Sequence, residues 1–370
     1  MYRLSVPEFL GKISEGLKHP ITEEEVFGSE IKLSHLKRID KLFEKGLHYY
    51  LDPKAPDTSK EASVFFRKES FNTEELNIGS VKTVNVFEDL KHSLSAISKL
   101  SDVQFERKIR NYSVHEDAGS AAEELRSQIY PGYLPNRRDF LKALIGKLAE
   151  NNIMVFEFVE TWNKKEKANI DGFFLKPNMI VLKRHQAFTR EIFTLAHELG
   201  HYLLGEEEVE AVEHRSIRFR DNNRIEIWCN QFAFRFLAGP HGDNMEQLEP
   251  AGPQNDYHRE TIEEISRKTH LSRLALYTHL LFRNRISHPD YKKVKREFRE
   301  EYLQKKEEEE KEKQRQKELG LTKGGSTPKA IKSPLFIETI QQAYYSGVLD
   351  VYEVCKKLKI KPDKLGEYIE

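Results

Sequence analysis

The 370-residue chain is short of several things, and each shortage excludes something. It has two cysteines, Cys229 and Cys355, with no C-x-x-C pair. That is too few for a disulfide-stapled scaffold. No stretch approaches the roughly 18 consecutive apolar residues that a membrane-spanning helix requires. The N-terminus, Met1-Tyr-Arg-Leu-Ser, lacks the apolar run of a secretory signal. Net charge is also missing, because 60 Lys and Arg balance 60 Asp and Glu. Nothing in the overall charge therefore draws the chain to nucleic acid or to an anionic membrane. A cytoplasmic protein with no membrane contact is expected, and 38% apolar residues still allow a sizeable core.

Residues 5–50 read as helical, with Leu36, Ile39 and Phe43 at helical spacing. Asp52–Lys60 reads as a loop, and Ala62–Lys68 as a short strand. Helices are predicted around Val86–Lys108, Ala118–Ile129 and Arg137–Ala149. The texture then changes. Asn152-Ile-Met-Val-Phe-Glu-Phe-Val, Asp171–Leu175 and Met179–Lys183 read as strands, the last two joined by a Lys176-Pro-Asn turn. A small, mostly antiparallel sheet is expected. Two amphipathic helices follow, Ala187–Leu204 stopped by Gly205 and Asn223–Leu237 stopped by Gly239-Pro240. Further helices are expected at Thr261–Thr269, with Thr261 and Glu264 as a capping box, and at Ser272–Phe282. Tyr291–Leu319, dominated by Lys, Arg, Glu and Gln, reads as a solvated helix.

This pattern divides the chain into a helical N-terminal region (1–60), a catalytic-type domain (61–250, core 150–240) and a helical extension with the charged helix (251–320). A linker (321–334) and a small helical C-terminal module (335–370) complete it.

The chemistry lies in Phe193-Thr-Leu-Ala-His-Glu-Leu-Gly-His-Tyr-Leu-Leu, which contains the H-E-x-x-H pattern His197-Glu198-Leu199-Gly200-His201. Side chains four apart share a helix face, so both imidazoles reach one metal ion. Glu198 projects to the neighbouring side, where it acts on water as general base. Zinc suits such a site, with Mn²⁺ a weaker fit. A catalytic zinc wants a third protein ligand. Glu207 has a metzincin-like spacing but lacks the required glycine, since Leu204 occupies that position. His214 and His241 sit in unpatterned loops. Glu226 opens the second helix, whose buried stripe is Ile225, Trp228, Phe232 and Phe236, and Asn230 lies one turn further on. From Asn230 a hydrogen bond to a ligand is available. Spacing alone leaves the choice open.

The segment Phe193–Leu204 followed by Glu226-x-x-Cys229-Asn230-x-Phe232-Ala233 resembles the ImmA/IrrE family of metallo-endopeptidases, whose members carry F-T-L-A-H-E-L-G-H and then E-x-x-A-N-x-F-A. The family's Leu-x-Pro ending corresponds to Phe236-Leu-Ala-Gly-Pro240, one residue longer. The resemblance implies an α+β fold with a zincin-like metallopeptidase core, a small sheet plus active-site helix, flanked by helical N- and C-terminal domains. It further implies that His197, His201 and Glu226 hold zinc with Glu198 as catalytic base. The implied substrate is a protein partner, typically a helix-turn-helix repressor of a mobile-element, toxin–antitoxin or stress-response system. Cys229, where the family often has Ala, reads as a small buried residue.

Residues 1–60 show no clear DNA-binding domain, so direct DNA binding is not expected. Tyr202, His241, Tyr257 and His258 are available as donors to a developing oxyanion. Met179–Lys183 is expected at a sheet edge, where an extended substrate would add as a strand. The competing reading is a non-catalytic regulatory binding protein of a toxin–antitoxin or mobile-element module. A DNA-binding regulator would need steeply salt-dependent duplex binding.

Overall fold

The computed structural model describes residues 4–43, 46–51, 76–160, 166–184, 187–207, 224–319 and 329–369. The loop 52–60, the strand expected at Ala62–Lys68, His214 and most of the expected linker lie outside them. The chain divides into two compact units, Met1–Ser93 with Lys164–Ile170, and Leu94–Asn163 with Asp171–Glu370.

In the first unit the expected helical stretch resolves into four helices, α1 (Val6–Ser14), α2 (Glu23–Phe27), α3 (Leu33–Phe43) and α4 (Leu47–Leu51). Reciprocal capping boxes start two of them, Ser5 with Glu8 and Thr22 with Glu25. Gly16, at φ 79°, turns the chain after α1 in a left-handed conformation that glycine adopts freely. Ile13, Ile21 and Ile39 form a small core, against which Phe9 and Phe43 stack. Helix α5 (Ile78–Leu100) begins earlier than the sequence suggests. Its start is tied down by Ser80, whose hydroxyl donates to Asn169 Oδ1 at 2.7 Å.

The second unit is built on strands β1 (Met154–Phe158), β2 (Gly172–Leu175) and β3 (Met179–Lys183) in the order β1-β3-β2. Strand β3 pairs parallel with β1 (Met154↔Met179) and antiparallel with β2 (Gly172↔Leu182). The sheet is therefore mixed rather than mostly antiparallel. Strand β3 is its centre, not an edge. Both sides of β3 are already hydrogen-bonded, so the expected addition of a substrate strand there does not hold. Nearly every strand residue is buried, which is how doubly covered strands behave and why their sequences show no alternation.

Helices α7 (Arg137–Glu150) and α8 (Phe188–Leu204) pack on this sheet, and α9 (Arg224–Ala238) packs between α8 and α6 (Ala118–Ile129). Asp117 and Asn136 cap α6 and α7 by accepting from backbone N–H groups two or three residues ahead. Gly205 ends α8 in the left-handed conformation, as expected, and its N–H and the Arg107 guanidinium both donate to the Tyr202 carbonyl, at 3.1 and 2.7 Å. A single core joins Leu125, Phe140, Leu144, Leu195, Leu199, Phe232 and Phe236.

Beyond α9 come α10 (His241–Gln247), α11 (Arg259–Lys268), α12 (Arg273–Phe282) and α13 (His288–Glu318). The capping box expected at Thr261 and Glu264 is not formed. Helix α11 starts two residues earlier, after Asp256, Tyr257 and His258 in left-handed backbone, and Glu264 pairs with Lys268 instead. Helix α13 is the solvated helix expected, with Val294 buried and surface pairs such as Lys311–Glu307 at 2.9 Å. The C-terminal helices α14 (Pro334–Tyr345) and α15 (Val351–Leu358) close on Phe336, Ile340 and Val354. They dock on β1, where Phe336 meets Phe156 edge-on and the Ile331 N–H donates to Glu157 Oε2 at 2.6 Å. Among the described residues no helix is long and apolar enough to cross a membrane.

Candidate metal centre

Helix α8 forms because Ile192, Leu195 and Leu199 recur at helical spacing and bury on one stripe. Its start is fastened by a buried cluster of arginine and glutamate side chains. Arg184 reaches Glu191 at 3.1 Å, and Arg138 reaches Glu157 at 2.5 Å. Burial and the neighbouring Glu157 push the Glu191 carboxyl up to about 9, so it is protonated at neutral pH.

One turn apart on α8, His197 and His201 aim their Nε2 atoms at the same point, 3.1 Å from each other. Helix α9 brings Glu226 to that point: Oε1 lies 2.9 Å from His201 Nε2 and Oε2 lies 3.3 Å from His197 Nε2. Among the described residues this is the group of three able to hold one metal ion. Ligand atoms bound tetrahedrally at about 2.0–2.1 Å sit about 3.3 Å apart. The observed separations are close to that, so the donor set fits a divalent metal.

Asn230, itself exposed, faces His197 Nδ1 with Oδ1 at 3.1 Å. Nδ1–H then donates to Asn230, which leaves the Nε2 lone pair directed at the cluster. Glu198, one residue past His197 and about 100° round the helix, is 1% exposed.

Two charges oppose burial here. Burial disfavours charge on Glu226, yet His197 and His201 hold its carboxyl well below the usual range. Burial likewise opposes charge on His201, and Cys229 and Glu226 together raise it well above its ordinary value. Burial pushes the Cys229 thiol up to about 11, against the opposing pull of His201.

The remaining candidates fall elsewhere. Glu207 is buried and accepts the Lys176 N–H at 2.6 Å, which ties it to the turn between β2 and β3. His241 opens α10 and is not in the ligand group. Of the suggested oxyanion donors, Tyr202 is 1% exposed, with its ring between Arg107 and Phe174. Tyr257 donates to Asp290 Oδ1, and His258 Nε2 to the Glu249 carbonyl.

One contact escaped sequence reasoning. A Cβ on Gly200 would stand 3.1 Å from the Cα, Cβ and Sγ of Cys229. The helices cross there because one side offers no side chain and the other a small one. The signal was present as the glycine between the two histidines and the small residue before Asn230.

The arrangement has the pattern of a metallopeptidase-type site, two histidines and a glutamate on adjoining helices with a further glutamate beside them. The segment that carries it, residues 151–241, matches the family model described as the IrrE N-terminal-like domain, Peptidase_M78, and so resembles the metallopeptidases of the ImmA/IrrE type. No curated protein and no solved structure gives a match.

Proposed function

We propose that the protein is a zinc-dependent metallo-endopeptidase acting on a protein partner, in which His197, His201 and Glu226 hold the metal and Glu198 is the catalytic base. The observation that carries this reading is the convergence of two Nε2 atoms and the Glu226 carboxylate from two helices, at contact distances of 2.9–3.3 Å. Zinc, when bound, supplies a Lewis acid that polarises the scissile carbonyl and acidifies the attacking water. Glu198 takes a proton from that water and passes it to the leaving amine. Asn230 keeps His197 in the tautomer that presents Nε2. A helix-turn-helix repressor is the proposed substrate class, and it rests on the resemblance of Phe193–Leu204 and Glu226–Ala233 to the ImmA/IrrE pattern.

A second reading is favoured by burial, since His197, Glu198 and His201 are only 1–2% exposed. There the metal would staple α8 to α9 in a binding protein that cuts nothing. Glu198→Gln separates the two. The peptidase reading expects an unchanged metal content with cleavage of repressor candidates reduced by about 10²–10⁴-fold. Repressor release at the wild-type rate by the variant would sink it and leave the binding reading standing.

A further inference from the structure

We propose that the α11–α12 hairpin is an acid-releasable clasp on the metallopeptidase core, with His270 and His279 as its two sensors. Both lie on the seam. His270, in the turn between α11 and α12, stacks on Phe140 of α7 at 3.8 Å and on Tyr133 at 5.2 Å. His279, on α12, lies flat against Phe234 of α9 at 3.6 Å with the rings 4° from parallel. They are 1% and 8% exposed. Among the described residues, neither ring nitrogen of His270, nor Nε2 of His279, has a hydrogen-bond partner.

The surroundings make a proton on either ring costly. The charges acting on His270 are Arg137 of α7 and Arg126 of α6. Those acting on His279 are Arg283, which caps the end of its own helix, and Arg235 of α9. The acids paired with these two arginines are already engaged, Glu246 with Arg235 and Arg283 at 2.9 and 2.8 Å, and Asp243 with Arg235 at 2.7 Å. An imidazolium at either place would be desolvated, would find no acceptor for its orphan nitrogens and would face arginines. Burial first, then those arginines, lower His270 to about 4 and His279 to about 3.

The sign follows. Docked, both rings are neutral; undocked, each regains a value near 6.5. The clasp is at full strength above about pH 6.5 and weakens as pH falls below it. Each histidine raises the undocked-to-docked ratio about tenfold per pH unit, and the two together about a hundredfold. Helix α9 carries Glu226 at its start and Phe234 near its end, so release frees the far end of the helix that supplies a ligand. The clasp does not depend on whether the protein is a peptidase.

The test is hydrogen exchange by mass spectrometry on the full chain from pH 7.5 to 5.0, corrected for intrinsic rates. Residues 259–282 are read against β1 and α8. Expected is a steep rise confined to 259–282 below about pH 6.5, flattened in His270→Phe/His279→Phe, which keeps ring stacking without titration. An equal slope in that variant would overturn the clasp, as would exchange rising alike in β1 and α8. Imidazole carbon shifts of the wild type give a variant-free check. Both rings should stay neutral in the docked form at pH 5, and titration of either near 6.5 with no change in exchange would also overturn it.

Discussion

Two pairs of histidines are buried in the same unit, and their surroundings give them opposite behaviour. His197 and His201 face the Glu226 carboxylate from two sides, whereas His270 and His279 face benzene rings and guanidinium groups. Burial alone would discharge His201, His270 and His279 alike. What decides is the partner: a facing carboxylate holds His201 above its ordinary value, while arginines add to the burial of the second pair. Burial therefore does not tell a metal ligand from a packing residue. Convergence of lone pairs on one point does.

Phe234→Ala tests the second pair most severely. Truncating a buried Phe costs about 3–5 kcal/mol of stability, read from urea unfolding. The opened space lets water reach His279, whose titration should move up toward 6.5; a ring still neutral at pH 5 would show that the arginines alone discharge it. Glu226→Ala makes the first pair resemble the second. Metal affinity should fall further than the about 10–100-fold that loss of an outer partner costs, read as metal per chain after identical purification without chelator. Retention of one metal per chain would mean that the two histidines find their third ligand outside α9. Asn230→Ala is the gentlest change. It leaves the ligands in place and should weaken metal binding by about 10–100-fold, measured by competition with a chromogenic chelator.

The sequence revealed these regions unequally. Helices α6 to α9 were readable because one face of each is apolar and the other polar, and Ala118–Ile129 has the bounds that its spacing suggests. His197 and His201 were also in view, since H-E-x-x-H on an amphipathic helix constrains geometry by itself, whereas Glu226 was singled out among the third-ligand candidates only by the family resemblance. Strand order was not. Val155, Phe174 and Val181 are all fully buried, and a run buried on both faces carries no mark of which neighbour it pairs with or in which direction. The start of α11 was hidden for another reason. Three successive non-glycine residues, Asp256, Tyr257 and His258, adopt positive φ there, which local propensity disfavours and tertiary packing imposes. His270 and His279 were passed over because no spacing links them; only the folded seam does.

The close crossing at Gly200 and Cys229 has a consequence for chain topology. On the proposed ligand set, a bound metal would cross-link His201 to Glu226 and close the backbone between them into a ring. On the chain-entropy view applied to disulfides, closing a ring of that length removes roughly 3.5 kcal/mol of unfolded-state freedom. A chelator would open such a ring without breaking a covalent bond, and the fastening between the two helices would then respond to the supply of metal.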